Sequence, residues 1–326
     1  MIPNDVPAVS DPLLRAAEGD GGRRRWLRRA AGLAALLGAG AAGAAGAASA
    51  RPLRVVASFS ILADLVAQVA GPLAEVTALV GPDADAHVFQ PAPADVRRLA
   101  QADLVVVNGL GFEGWMTRLI GSAGYRGPVL TCTDGLPRRA PAPTAAPADP
   151  HAWQDPAHVR HYVARIRDAL IAARPAEAGT LRQRAAAFDA ELVALDRRIR
   201  AEIATLAPEQ RRLVTTHDAF AAFAAAYGIE FLAAQGWNTD SEPSAGDVAR
   251  LIRQIRRQQV RAVFIENVTD ARLVERIARE TGATVGGTLY SDALSAPSGP
   301  AGSYLRLMAH NVATLMAGLR GQPAPR

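Results

Sequence analysis

The sequence is short of several residue types, and each shortage excludes a class of protein. One cysteine, Cys132, in 326 residues excludes a disulfide framework and any zinc or iron–sulfur site built from several cysteines. Its apolar surroundings predict a buried thiol in a strand. Lysine is absent and aromatic residues make up only 5% of the chain, and no basic block is interleaved with aromatic residues. This pattern is not that of a nucleic-acid-binding protein.

The net charge of +5 also overstates how basic the chain is. The first 50 residues carry six arginines and four acidic residues, which leaves 30 arginines against 27 acidic residues and a net charge of +3 in the rest. Those arginines are interleaved with Asp and Glu along helical patterns such as 189–202. We therefore expect no nucleic-acid partner.

The first 50 residues have the pattern of an export signal. Paired arginines at 23–25 precede an apolar Ala/Gly/Leu stretch at 30–48, and Ala48-Ser49-Ala50 forms a small-x-small cleavage site. The paired arginines are typical of a twin-arginine signal. A transmembrane anchor is the alternative, but the stretch is Gly-rich and, at about 19 residues, close to the lower limit for a span. We expect cleavage near Ala50/Arg51, no lipid anchor because no Cys follows, and a soluble periplasmic protein.

The mature chain alternates apolar β-type runs with helical patterns, which predicts parallel sheets covered by helices. Two such series occur, one in each half. The predicted strands are 53–59, 76–80, 104–108, 128–132, 212–216, 229–232, 262–266 and 284–289. The fold class is therefore α/β, with two similar parallel-sheet lobes.

A long helical pattern separates the two series. It begins after Pro175 and runs for about 30 residues, enough to reach about 45 Å at 1.5 Å per residue. Its apolar positions are Leu181, Phe188, Leu192, Leu195 and Ile199. The predicted organisation is an export signal at 1–50, an N-terminal lobe at 51–174, a linking helix at 175–206 and a C-terminal lobe at 207–326. A Pro/Ala-rich loop at 137–150 shows no core-forming pattern.

Four side chains sit at turns beyond strands or at helix starts. His87 and His151 belong to the first half, and His217 and Asp292 to the second. Ligands of open α/β sheets bind beyond the carboxyl ends of the strands, so two facing lobes would form a cleft there. Three imidazoles and one carboxylate suit a four-coordinate divalent ion, zinc or manganese. The alternative is that each histidine is a hydrogen-bonded surface residue and Asp292 a helix N-cap.

Other polar residues have simpler interpretations. His158 and His161, three apart on a helix, are expected on a solvated face, and His310 is expected to be structural. The glycine-rich stretch 109–114 lacks the Lys-Ser/Thr of a phosphate loop and is expected to be a turn into a helix. Glu266, at the end of a buried strand, is either a base, an acceptor beside a ligand or a structural residue.

Seven stretches together resemble the substrate-binding proteins of zinc and manganese ABC importers, the cluster A-I solute-binding family. The matching stretches are 81–91, 108–115, 149–156, 216–223, 241–244, 289–294 and 304–311. They occur in the family's order and extend through nearly all of 53–320.

The resemblance implies that His87, His151, His217 and Asp292 are the metal ligands, and that a single long helix joins the lobes and restricts hinge motion. Ala86 replaces the family's usual Pro, but no ligand is lost. Likewise, Ala222 stands where an aromatic residue is common. The loop at 137–150 lacks the histidines that many zinc members carry there.

The function implied is capture of one Zn²⁺ per chain by a monomer, which delivers it to an ABC permease in the cytoplasmic membrane. Manganese specificity is the alternative within the family, although manganese members often carry Glu where this chain has His217. An exported zinc hydrolase, with Glu266 as its base, is the alternative among enzymes. The sequence leaves open whether a periplasmic metallochaperone loads the site.

Overall fold

Two four-stranded parallel sheets form the framework of the protein in a computed structural model that describes residues 51–136 and 149–322. The export signal expected at 1–50 and nearly all of the Pro/Ala-rich segment lie outside these residues. Among the described helices, none combines the length and apolar character needed to cross a bilayer.

The first sheet has the strand order β2-β1-β3-β4. Its strands are β1 (Leu53–Phe59), β2 (Ala74–Val80), β3 (Leu104–Val107) and β4 (Val129–Thr131). Its helices are α1 (Ser60–Ala70), α2 (Pro93–Ala100) and α3 (Met116–Ser122). All four residues of β3 are buried, because a central parallel strand is covered on both faces.

Two helices connect the first sheet to the second. They are α4 (Pro156–Ala173) and α5 (Ala178–Ala204). Helix α5 has 27 residues and is therefore about 40 Å long. Its buried side chains include all five that its apolar spacing predicts. Arg184 of α5 donates to the carbonyls of Gln68 and Val69, which ties the linking helix to the end of α1.

The second sheet repeats this arrangement in the order β6-β5-β7-β8. Its strands are β5 (Arg212–His217), β6 (Glu230–Gln235), β7 (Ala262–Glu266) and β8 (Thr284–Leu289). Its helices are α6 (Ala221–Tyr227), α7 (Ala245–Gln258), α8 (Ala271–Thr281) and α9 (Tyr304–Leu319).

The predicted fold class is confirmed: the two sheets share one strand order and a long helix joins them. The clearest difference is β6, which extends to Gln235 instead of ending at 232. Gln235 pairs with His217 of β5, so the strand continues as far as its neighbour does. The lobe boundaries drawn from the sequence stay a prediction.

Apolar packing joins the sheets. One large cluster includes side chains of both sheets and of α5, among them Phe59, Phe188 and Phe264. A smaller cluster lies between the second sheet and helices α7 and α8, and includes Val263 and Ile277. This shared core brings the carboxyl ends of strands from the first sheet close to those of the second sheet.

Candidate metal centre

The structure brings together the four side chains that the sequence singled out. His87 lies in the turn after β2, His151 just before the 3₁₀ turn Ala152–Gln154, His217 at the end of β5 and Asp292 in the turn after β8. One ligand atom from each lies within 4.8 Å of the others. The carboxyl ends of strands from both sheets therefore meet at this point.

Four of the separations between these atoms are close to the ligand–ligand distances of a small coordination polyhedron. His87 Nε2 lies 3.3 Å from His151 Nε2 and 3.3 Å from Asp292 Oδ2. Asp292 Oδ2 is 3.2 Å from His217 Nε2, and Asp292 Oδ1 is 3.5 Å from His151 Nε2. Four ligands at zinc bond lengths of about 2.0–2.1 Å stand about 3.3–3.4 Å apart in a tetrahedron. The arrangement thus has the right size for one divalent ion.

The cluster is almost wholly shielded from solvent. His151, His217 and Asp292 have no exposed surface, and His87 is 8% exposed. The ring of Phe112 packs edge-on against His87 at 4.6 Å, and Trp153 packs against His151 at 5.2 Å between centroids. In such a site a cation needs ligands that neutralise its charge, and Asp292 supplies one negative charge directly.

The second ring nitrogen has a different neighbour in each histidine. His151 Nδ1 lies 2.7 Å from Asp149 Oδ1, and His217 Nδ1 lies 2.7 Å from Glu266 Oε2. His87 Nδ1 has no such carboxylate neighbour and, like His217 Nδ1, makes no hydrogen bond of good geometry among the described residues. Carboxylates beside Nδ1 orient the ring and leave Nε2 free to bind a metal.

Glu266 is completely buried and supports the end of β5. Its Oε1 accepts hydrogen bonds from the backbone N–H groups of Thr216 at 2.8 Å and His217 at 2.9 Å. Of the roles left open by the sequence, the structure gives it two, as a structural residue and as a carboxylate beside a candidate ligand. A single carboxylate contacts both the backbone and the ring of His217.

Electrostatics set two pKa values in opposite directions. Burial alone raises the pKa of Asp292, but the nearby imidazoles of His151 and His217 outweigh burial and hold this pKa well below its usual range. Burial alone lowers the pKa of His217, but the carboxylates of Glu266 and Asp292 outweigh it and raise this pKa well above its usual range. Without a metal, the site therefore favours an ionised aspartate beside a protonated His217.

The remaining histidines lie outside the cluster, as expected. His158 Nδ1 is 3.3 Å from the carbonyl of Ala152, and His161 Nε2 is 2.8 Å from that of Asp134. Both residues are partly exposed on the predicted helix, and each ring is also bonded to a neighbouring turn. His310 has the expected structural role, with Nε2 3.0 Å from the carbonyl oxygen of Thr288.

The glycine-rich turn after β3 binds a side chain of its own. The buried carboxylate of Glu113 accepts hydrogen bonds from the backbone N–H groups of Asn108 at 2.6 Å and Gly109 at 3.1 Å, and from Ser58 Oγ at 2.6 Å. Gly109 has φ +94°, in the region that favours glycine. The sequence excluded a phosphate loop here but missed the role of Glu113.

Sequence reasoning also missed three residues that support the candidate ligands, all close to His151 in the chain. Asp149 contacts the ring of His151, and Trp153 and Gln154 donate to a carbonyl in the turn that carries Asp292. The motif at 149–156 was the only sequence signal for them, because it contains all three.

Comparison with known proteins identifies the family of this chain. Residues 55–318 match the family model described as zinc-uptake complex component A, periplasmic. The manganese-binding lipoprotein MntA of Halalkalibacterium halodurans is 31% identical over 284 residues, which cover 86% of this chain and 93% of that protein. The iron-binding protein YfeA of Yersinia pestis is 33% identical over 271 residues, which cover 82% of this chain and 86% of that protein.

A solved structure extends the likeness to three dimensions. The periplasmic zinc-binding protein TroA of Treponema pallidum superposes with a TM-score of 0.79 at 31% identity, covering 82% of this chain and 99% of that one. Sequence and fold lead to the same assignment: the chain belongs to the zinc-uptake complex component A family, whose members are the metal-binding, substrate-binding proteins of ABC importers.

Proposed function

We propose that this protein captures one Zn²⁺ in the periplasm and delivers it to an ABC permease in the cytoplasmic membrane. The ligands are His87, His151, His217 and Asp292. The observation that carries the proposal is the convergence of these four buried ligand atoms within 4.8 Å. Export relies on the signal predicted at 1–50 and places the mature protein, a monomer without a lipid anchor, outside the cytoplasm.

The donor set favours zinc over manganese. Three imidazole nitrogens and one carboxylate suit Zn²⁺, whereas Mn²⁺ prefers more oxygen ligands. The superposable relative TroA is named as zinc-binding. Manganese is the second candidate for two reasons. Both oxygens of Asp292 face the imidazole nitrogens of the cluster, so the carboxylate offers two of the oxygen ligands that Mn²⁺ prefers. The relative MntA is named as manganese-binding.

A zinc hydrolase is less well supported by the same site. Catalytic zinc usually keeps three protein ligands and one open position for water, whereas four protein ligands close the coordination sphere. Glu266, the candidate base, has one oxygen bonded to two backbone N–H groups and the other beside His217 Nδ1. Family membership also favours solute binding.

The decisive experiment is metal content and competition, performed on the mature chain 51–326 at pH 7. After removal of metal with a chelator, the protein is offered Zn²⁺ and Mn²⁺ separately and then together. One tightly bound Zn²⁺ per chain that excess Mn²⁺ does not displace supports the proposal. Retention of Mn²⁺ against Zn²⁺ would change the cargo to manganese, and the absence of tight binding would overturn the function itself.

Zinc binding is also expected to release a proton. Because the pKa of His217 is raised well above its usual range in the metal-free site, Zn²⁺ must displace a proton from Nε2. Apparent affinity should therefore fall as the pH falls, by about tenfold per pH unit for one displaced proton. Calorimetry at pH 7 in two buffers of different ionisation enthalpy measures the proton count. Identical heats in the two buffers would contradict this prediction.

A further inference from the structure

Two neighbouring side chains connect the turn that carries His151 to the turn that carries Asp292. Trp153 Nε1 and Gln154 Nε2 both donate to the carbonyl oxygen of Ser291, at 2.9 Å and 2.7 Å. The two donors stand two and three residues after His151, and the acceptor directly precedes Asp292. The turn before α4 that carries His151 and the turn after β8 that carries Asp292 are thus connected by two hydrogen bonds. The two donor residues and the acceptor residue are all buried.

The rest of the Asp292 turn is also held through its backbone. Asn311 of α9 accepts from the N–H of Tyr290 at 2.8 Å and donates to its carbonyl at 2.7 Å. Ser60 Oγ accepts from the N–H of Leu294 at 3.0 Å. The backbone on both sides of Asp292 therefore has fixed partners.

The Asp292 carboxylate, by contrast, has no such support of its own. Neither oxygen has a hydrogen-bond partner of good geometry among the described residues, and both are buried. Oδ1 faces His151 Nε2, and Oδ2 faces the Nε2 atoms of His87 and His217. The direction of the carboxylate consequently depends on the backbone turn, and hence on the carbonyl of Ser291.

We propose that Gln154 and Trp153 are positioning residues that hold Asp292 with both oxygens directed at the metal, and that they thereby influence the choice between zinc and manganese. The inference rests on the proposed function of this site. Zn²⁺ is satisfied by four ligands, so a single carboxylate oxygen is enough for it. Mn²⁺ prefers additional oxygen ligands and loses more when the second oxygen turns away.

The test replaces Gln154 by Met in the mature protein, a change that removes the donor and nearly keeps the volume. Contacts that orient metal ligands are worth about 10–100-fold in affinity, so we expect Zn²⁺ binding to weaken about tenfold and Mn²⁺ binding about 100-fold. The visible bands of bound Co²⁺ should intensify, as they do when coordination falls from five to four. Both affinities are measured by competition with a chelator.

Two further variants make the result interpretable. Gln210→Met removes an amide that accepts from the N–H of Ala207 in a distant turn, and it should bind both metals as the wild type does. Trp153→Phe keeps an aromatic ring but removes the other donor to Ser291, and it should shift the zinc-to-manganese ratio in the same direction. This second variant tests the idea even where Gln154→Met does not fold.

Failure of the inference differs from failure of the function. Equal losses for Zn²⁺ and Mn²⁺ with an unchanged Co²⁺ spectrum would reduce Gln154 to a structural residue and overturn the inference. Wild-type affinities for Zn²⁺ and Mn²⁺ in both Gln154→Met and Trp153→Phe would overturn it too. If instead the wild-type protein bound neither metal tightly, the proposed function would fall first, and the inference with it.

Discussion

Replacement of His217 by alanine is expected to weaken zinc binding by about a hundredfold or more. Zinc sites with four protein ligands provide about 10–16 kcal/mol, which is about 3 kcal/mol per ligand if the ligands share it equally. His217 is also the ligand whose ring and backbone contact the same buried carboxylate. The measurement is a titration of the metal-free protein against a chromogenic zinc chelator.

The matched control for this variant is His161→Ala. His161 is bonded to the carbonyl of Asp134 outside the cluster, so its removal should leave zinc affinity unchanged. His151→Ala should behave like His217→Ala. A His217 variant with wild-type affinity would remove that residue from the ligand set and weaken the preference for zinc.

Replacement of Glu266 by alanine should lower the free energy of unfolding by a large amount. Its carboxylate is fully buried, accepts from two backbone N–H groups and lies beside the protonated ring of His217. Loss of one partner of a buried charged pair costs about 3–5 kcal/mol. Here Asp292 remains beside His217, but two buried backbone N–H groups also lose their acceptor. We expect the free energy of unfolding of the metal-free protein at pH 7 to fall by about that amount, as measured in urea.

Glu191→Ala provides the comparison for that measurement. Glu191 is exposed on the linking helix, and its removal should change the unfolding free energy by no more than about 0.5 kcal/mol. Glu266→Gln should give an intermediate value, because an amide oxygen still accepts from the backbone. If Glu266→Ala unfolded at the wild-type urea concentration, the carboxylate would have no role in holding β5.

Strands were the features that local sequence predicted best. The predicted strands 104–108 and 262–266 begin with four consecutive apolar residues, at 104–107 and 262–265, and a parallel strand covered on both faces requires such a run. The end of β6 was placed too early, because its last residues carry no strand pattern and are ordered by pairing with β5. The linking helix was predictable because its apolar face repeats over about six turns, from Leu181 to Ile203.

The candidate ligands could be identified before the structure because each stands in a recognisable local stretch beyond a strand or before a helix. The residues that hold these candidate ligands in position could not be identified in the same way. Gln154 contacts Ser291 across 137 positions of sequence, and Glu266 contacts the backbone of Thr216 across 50. No local pattern encodes a contact over such a distance, because the pattern records only the spacing along one element.

The sequence by itself thus determined the kinds of element, their order and the chemistry of the donor atoms. Composition and periodicity carry that information, because burial and hydrogen bonding of each element depend on its own residues. Only the tertiary structure decided that three imidazoles and a carboxylate meet within 4.8 Å, which carboxylates stand behind the histidines and which side chains hold Asp292. Those features depend on how two sheets pack around a shared core, and packing depends on contacts among all the elements at once.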